Sequence, residues 1–444
     1  MTASELFLRH IKVARGEITP PGSKSIANRI LPLAALGKGT ITLDNLPGGD
    51  DVTLMKKALH LLGVEIKGSG SQVHVTGLGG PFKCTDSIKL DLGNSGTATR
   101  FLTALLCTGH GKFQIDGVPR LRERPIGDLV DSLHDLSTPK GNKRSSENGT
   151  TEISYQLNPG FPPLNIHARG LSGGIASVKG NISSQFLTGL LMTLPLCQNP
   201  SKVLVQGPLV SPSYVKLTLD ILEDFKVEII DKGFREFTCS HPEGFINPSD
   251  YMVEADASSA SYFLAAGAIA GDPVTVHGVG KGTRQYHGEG QFAHILKKMG
   301  AKVEIKEKSI TVSHAALKGI DANMNTMSDT GMTLAVLALF AEGPTHISHI
   351  GNWRLKETDR LHAMAAELRK LGAGVEEGND SLTIHPPETW SPAEINTYDD
   401  HRMAMSFALT AFSGVPVTIL DPDCVSKTFP GFFNDFSNIT GGQS

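Results

Sequence analysis

Cysteine is scarce and unpatterned in this sequence. The five in 444 residues, Cys84, Cys107, Cys197, Cys239 and Cys424, form no Cys-x-x-Cys pair. That excludes a disulfide framework and a cysteine zinc site, and it fits a reducing compartment. An excess of charge of one sign is also lacking. A formal net charge of −4 lays down no electrostatic footprint for nucleic acid or an anionic membrane. Long hydrophobic runs are absent too, since stretches such as Phe186 to Leu196 are too short to span a bilayer. The segment Met1 to His10 has neither an apolar signal region nor Arg/Ser-rich transit character. What remains is the composition of a soluble globular protein, expected in the cytoplasm. At this length the chain is expected to divide into two domains.

What the sequence does contain is repetition. Six times a short polar motif opens an apolar helical run, which ends near Gly and passes into a β-rich run. The openings are Ser23-Lys-Ser25, Gly93-Asn-Ser-Gly-Thr97, Ser183-Ser-Gln185, Asp256-Ala-Ser-Ser259, Asp329-Thr-Gly331 and Asp399-Asp-His-Arg402. They recur at intervals of roughly 70 to 90 residues, longer than a simple solenoid repeat. Most units contain a second helix and strand, as in Val52 to Ile66, Val215 to Ile229, Phe292 to Ile305 and Leu361 to Glu376. Each unit therefore reads as an α+β module that cannot bury both of its helices alone. Three modules per domain and two domains is the economical arrangement. The widest interval contains Ser137 to Gly149, whose composition predicts an exposed flexible loop.

Basic residues recur singly inside these Gly- and Ser-rich openings, which points to small anions rather than polyanions. Pro21-Gly-Ser-Lys-Ser25, with Arg29 one helical turn on, lacks the spacing of a nucleotide-binding P-loop. Its hydroxyls, backbone N–H groups and two cations still make an oxyanion cradle. Gly93 to Thr97 with Arg100 offers close backbone approach to a ligand. Arg124 stands just before Pro125, and Ser183 and Ser184 stand at a helix start. The most telling stretch is Gly351-Asn-Trp-Arg-Leu-Lys-Glu-Thr-Asp-Arg-Leu361, between a strand-like run and a helical pattern. Lys356 and Arg360 would share a helical face there, with Glu357 beside Arg360. That suits a site holding an anion while one carboxyl moves a proton. Taken singly, each motif also reads as an ordinary helix cap or a solvated charge. The argument rests on most of the six helix starts carrying anion-binding chemistry together. If the helices of both domains turn their N-termini toward one cleft, that cleft suits a multiply charged anionic substrate pair. No second His or carboxylate stands at ligand spacing to His401, and His346 and His349, in a strand-like segment, are not read as metal ligands.

With these motifs assembled, the chain resembles the 5-enolpyruvylshikimate-3-phosphate synthase (EPSP synthase) family of enolpyruvyl transferases. The resemblance is carried by Pro21 to Ser25, Leu92 to Thr97, Arg122 to Ile126, Ser183 to Thr188, Asp256 to Ser261, Asn352 to Arg360, Asp400 to Met405 and Lys427 to Pro430. It implies an α+β, two-domain clamp, each domain three βαβαββ-type modules around inner helices, an inside-out α/β barrel. It also implies a crossed-over chain, with residues 1–20 and 254–444 in one domain and 21–253 in the other, and hinges near Pro20 and Val253.

The implied reaction transfers the enolpyruvyl group of phosphoenolpyruvate to the 5-hydroxyl of shikimate 3-phosphate. The resemblance assigns shikimate 3-phosphate to Lys24, Ser25, Arg29, Ser183, Ser184, Ser211, Tyr214, Asp329, Asn352 and Lys356. Phosphoenolpyruvate falls to Lys24, Gly96, Arg124, Gln185, Arg360, Arg402 and Lys427. Asp329, Glu357 and Lys24 take the catalytic roles. The same resemblance implies no metal, no organic cofactor and a monomer. The retained Gly96 predicts sensitivity to glyphosate. Two rival readings are the sister transferase acting on UDP-N-acetylglucosamine, and a non-catalytic anion-binding relative. Three departures from the family pattern stand out. Phe101 follows Arg100 where Pro or a small aliphatic residue is usual, which bears on the shape beside Gly96. His287-Gly-Glu289 replaces a Gln-Gly-Asp and is expected to leave the chemistry unaffected. The excursion around Lys140 to Asn148 is longer than usual.

Overall fold

A computed structural model describes residues 4–138 and 150–441. The loop expected at 137–149 therefore lies, from residue 139 onward, outside the described residues. The chain forms two compact units. One, here the central unit, holds Lys24–Leu46 and Asp50–Val253. The other, the terminal unit, holds the residues up to Ser23, Pro47–Gly49 and those from Glu254 onward. Each has its own apolar core.

The described strands form six sheets, three to a unit, five of them four-stranded and one three-stranded. The module expected from the repeats recurs in the five four-stranded sheets, and Glu5–Leu8 completes the three-stranded one. In the second, Lys83–Asp91 pairs in parallel with His110–Asp116 across the helix Gly96–Leu106. The helix Gly127–Ser137 then leads into the antiparallel strands Glu152–Tyr155 and Leu164–Arg169. Two modules borrow their first strand from the far end of the sequence. Asp250–Met252 pairs in parallel with Thr40–Asp44 in the central unit, and Ala14–Ile18 with Gly271–His277 in the terminal unit. This exchange of strands is what crosses the chain over. The first crossing was expected near Pro20. Hydrogen bonding keeps three more residues with the terminal unit: Ser23 N–H donates to the Glu254 carbonyl, and Asp256 N–H to that of Pro21.

In each unit one helix per module is buried along nearly its whole length. These are Lys24–Leu36, Gly96–Leu106 and Ser184–Thr193 in the central unit, and Ala257–Ala270, Gly331–Leu337 and His401–Phe407 in the terminal unit. A helix apolar on every side has to be enclosed on every side, and the three wrap one another while the sheets lie outside. Close contact needs small residues. A Cβ on Gly189 would meet the Ala104 methyl and the Arg100 carbonyl at 3.3 Å. The starts of these helices follow the polar openings, because each capping side chain satisfies an otherwise orphaned N–H. Asp256 accepts from Ser259 N–H at 2.8 Å, and Asp400 from Arg402 N–H at 2.9 Å.

Two local expectations differ from the structure. The run Val227 to Ile229 does not form a strand, which begins only at Ile230. Lys226 turns the backbone with φ +63°, and Val227 N–H is taken by the Leu222 carbonyl, so the ladder cannot start there. The stretch from Gly351 is likewise not one helix start. A 3₁₀ turn spans Gly351–Leu355, Lys356 is extended, and the α-helix Arg360–Lys370 begins only after its cap, Asp359. Lys356 and Arg360 are thus brought together by a bend rather than by a shared helical face.

Candidate active site

In the central unit the starts of the three inner helices and two short segments gather cations and hydroxyls. Lys24 opens the first helix and pairs with the buried Asp51 at 3.2 Å. One turn on, Arg29 is only 3% exposed. Its Nε donates to Thr218 Oγ1 at 2.9 Å, and its two terminal nitrogens donate to the carbonyls of Ser25 and Tyr214 at 2.6 and 3.2 Å. No carboxylate contacts Arg29 among the described residues. Burial pushes its pKa down to about 10, with the Tyr214 hydroxyl acting weakly the other way.

Arg124 is the second such group. It is 4% exposed, donates to the Asn94 backbone and side-chain oxygens at 3.1 and 3.4 Å, and has a buried Nε with no partner. Its backbone is extended, as befits the residue before Pro125, and this turns it away from its half-buried neighbour Arg122. Arg122 forms a bidentate pair with Asp116 at 2.8 and 2.7 Å. A buried guanidinium without a carboxylate is costly, so Arg29 and Arg124 mark places made for anions.

The rest of the set surrounds these two. Gln185 bridges the Gly96 and Ser184 helices, accepting from Arg100 at 2.6 Å and donating to Thr97 at 3.0 Å. Ser183 caps the Ser184 helix through Gln185 N–H. Ser211 stands at the head of the helix Pro212–Asp224 with φ +51°, a strained conformation for serine that tends to be kept where a site needs it. A Cβ on Gly96 would lie 2.6 Å from the Arg124 guanidinium carbon and 2.9 Å from an Arg100 nitrogen.

The terminal unit is arranged differently, because its cations come with carboxylates. Arg360 is 1% exposed and holds Asp400 through two bonds of 2.7 and 3.1 Å. It also reaches Asp329 at 3.3 Å and Glu357 at 2.9 Å. Burial alone would weaken its hold on the proton, but Asp400, Glu357 and Asp329 together raise its pKa. Arg402 contacts Asp329 at 2.9 Å and the Tyr262 hydroxyl at 3.3 Å. Lys356 contacts Asp329 at 3.2 Å; burial depresses its pKa, and Asp329 partly restores it.

Asp329 thus stands among three cations, and Glu357 lies on the flank of one of them. Trp353 fixes the bend beneath by donating from Nε1 to the Ser328 carbonyl at 2.8 Å, and Asn352 lies 3.5 Å from the Ser328 hydroxyl. Lys427 is buried at the end of its own 3₁₀ turn, with its backbone packed so closely that only glycine fits at position 49. No group of three potential metal ligands occurs among the described residues.

Three participants were not singled out from sequence. Asp51 reads as an ordinary first-turn acid of the helix Asp50–Leu61, yet it is buried against Lys24. Asp400 reads as a cap, and it also anchors Arg360, forty positions away. Glu289, expected to leave the chemistry unaffected, turns out to be buried, accepting from the backbone N–H groups of Asp329 and Thr330 at 3.4 and 3.1 Å. Glu289 thereby fixes the backbone at Asp329 and Thr330, just before the helix Gly331–Leu337.

The sequence matches the family described as EPSP synthase (3-phosphoshikimate 1-carboxyvinyltransferase) over residues 8–436. The chain belongs to the EPSP synthase family. Curated relatives of this family bear the name 3-phosphoshikimate 1-carboxyvinyltransferase. That from Vibrio vulnificus is 47% identical over 98% of this chain and 99% of its own length. The one from Marinomonas sp. is 48% identical with the same coverage. Among solved structures, an EPSP synthase of Acinetobacter baumannii superposes with a TM-score of 0.78 at 25% identity, covering 98% of both chains. The enolpyruvyl transferase NikO of Streptomyces tendae, at 17% identity and a TM-score of 0.76 over 98% of both chains, shares the fold. The α+β two-domain fold implied by the resemblance is therefore that of EPSP synthases and enolpyruvyl transferases.

Proposed function

We infer that this chain transfers the enolpyruvyl group of phosphoenolpyruvate to the 5-hydroxyl of shikimate 3-phosphate, releasing phosphate. The observation that carries the chemistry is Asp329 and Glu357 set among Lys356, Arg360 and Arg402, a carboxylate pair held where anions bind. Shikimate 3-phosphate is assigned to Arg29 for its carboxylate, Ser183, Ser184, Ser211 and Lys356 for its phosphate, and Lys24, Ser25, Tyr214, Asn352 and Asp329 for its ring and hydroxyls. Phosphoenolpyruvate is assigned to Lys24, Gly96, Arg124, Gln185, Arg360, Arg402 and Lys427.

The 5-hydroxyl adds to C2 of the enol as C3 is protonated, giving a tetrahedral phosphate-bearing intermediate. Loss of phosphate and of a C3 proton then yields the enol ether. Asp329 takes the hydroxyl proton, with Lys24 sharing that role. Glu357 gives and later removes the C3 proton. An anion drawn onto Arg360 competes with Glu357 for the same guanidinium, which favours proton uptake by the carboxylate. The cations offset substrate charge without any cofactor. The same reading expects a monomer working in the cytoplasm; among the described residues, no helix is long and apolar enough to cross a membrane.

Phosphate release from phosphoenolpyruvate tests the reaction. Release is expected with shikimate 3-phosphate present, and neither without an acceptor nor with UDP-N-acetylglucosamine. Release with the sugar nucleotide alone would overturn the assignment. A second expectation concerns Gly96. Its replacement by Ala forces the Arg124 and Arg100 tips aside, so kcat/KM for phosphoenolpyruvate should fall on the order of tenfold or more. Inhibition by glyphosate, which competes at that position in the family, should weaken alongside. Unchanged kinetics and inhibition in Gly96→Ala would remove Gly96 and Arg124 from the phosphoenolpyruvate site.

A further inference from the structure

Phe101 lies wholly buried on the Gly96–Leu106 helix, and its charged neighbour is not the Gly96 edge of the site but Arg29. The Arg29 guanidinium carbon sits 5.4 Å from the Phe101 ring centroid and 5.8 Å from that of Tyr214. Both distances fall within reach of a cation–π interaction. A guanidinium carries five N–H donors. Three are spent on Thr218 and on the Ser25 and Tyr214 carbonyls. The remainder are available to a ligand, and no carboxylate among the described residues competes for them. Two aromatic rings thus stand where a buried cation would otherwise need a counter-ion.

We propose that Phe101 is a positioning residue for substrate recognition: with Tyr214 it holds the desolvated Arg29 guanidinium in the orientation that receives the carboxylate of shikimate 3-phosphate. The proposal rests on the assignment of Arg29 to that carboxylate. An aliphatic side chain of similar size would fill the volume but present no negative π-face to the cation. Arg29 would then be less well held before substrate arrives, and ordering it would be charged against binding. The consequence falls on one substrate, because Phe101 acts through Arg29, whereas Gly96 acts through Arg124.

The test compares Phe101→Leu and the volume-conserving Phe101→Met with wild type, varying each substrate in turn. Calorimetric titration of shikimate 3-phosphate and a thermal melt accompany the kinetics. The Kd and KM for shikimate 3-phosphate should rise about three- to tenfold, with KM for phosphoenolpyruvate and saturated kcat within about twofold of wild type. In an Arg29→Ala background, Phe101→Leu should add no further loss of shikimate 3-phosphate affinity, since the partner of the ring is gone. A purely structural role would move both substrates together and would persist in that background; either result overturns the proposal. If Arg29→Ala weakens shikimate 3-phosphate and neither Phe101 variant does, the positioning role fails and the anchor stands. If Arg29→Ala leaves shikimate 3-phosphate binding intact, the anchor itself fails and the proposal with it.

Discussion

Replacing Glu357 by Gln should leave a folded protein that binds shikimate 3-phosphate normally and turns over about 10²- to 10⁴-fold more slowly. The geometry separates the proton from the scaffold. Arg360, the partner of Glu357 at 2.9 Å, is independently held by Asp400 through two shorter or comparable bonds and by Asp329. An amide of the same shape therefore leaves the guanidinium in place. What it cannot do is deliver a proton to C3 of phosphoenolpyruvate or take one back from the intermediate. Both half-reactions need that step, so both should slow. Rapid-quench measurement of the first turnover, beside calorimetric titration of shikimate 3-phosphate, reads the two properties separately. Wild-type turnover in Glu357→Gln would sink the acid–base assignment. A protein that lost affinity for shikimate 3-phosphate as well would place Glu357 in the scaffold instead.

How much of this was legible in the sequence depends on whether a feature is local. The helix starts are local: Ser95, Ser183, Asp256, Asp359 and Asp400 each cap the helix that follows. The apolar runs behind them announce inner helices that must be enclosed. Five of the six openings, with three further motifs, also carried the family resemblance, and with it the fold. The partners of the charges were not local. Nothing near Asp51 separates it from Asp50 beside it, and nothing near Asp400 names Arg360. The pair Arg122 and Arg124 shows the limit best. Their sequence context is nearly shared, and only Pro125 distinguishes them, by forcing the residue before it to extend. The nearness of Lys356 to Arg360 was expected for an incorrect reason. A helical face was expected to align it with Arg360, but a bend after a 3₁₀ turn does so, because Trp353 is drawn into the core and bonds the Ser328 carbonyl. The contact of Glu289 was beyond reach, since it holds backbone N–H groups forty residues away.

The larger combined effect is expected at Asp329, where catalysis and stability meet. Its carboxylate contacts Lys356, Arg360 and Arg402, and its own side chain is 13% exposed. On the proposed mechanism, changing it to Ala removes the base for the 5-hydroxyl, and turnover should fall about 10²- to 10⁴-fold. It also leaves Lys356 and Arg402 without this counter-ion in a largely buried place. Breaking such a group from one side costs about 3 kcal/mol or more, read as a lower melting temperature. Inorganic phosphate should then bind among these cations and recover more stability in Asp329→Ala than in wild type, by mass action on the folded state.

The pH dependence has a definite sign. Lys356 is already depressed below the lysine value of 10.5, chiefly by burial, and Asp329 is the contact that holds it up. Without Asp329 the folded protein releases that proton at still lower pH than the unfolded chain does. The cost of the charged lysine is thus fully present below the folded pKa and is relieved as pH rises from there toward 10.5. The stability deficit of Asp329→Ala should narrow over that alkaline window. Asp329→Asn, which keeps a polar group of the same shape, should lose turnover equally with a smaller loss of stability. A phosphate-insensitive Asp329→Ala protein that melts with wild type would show that the three cations do not depend on this carboxylate. Turnover in Asp329→Asn near that of wild type would pass the role of base to Lys24.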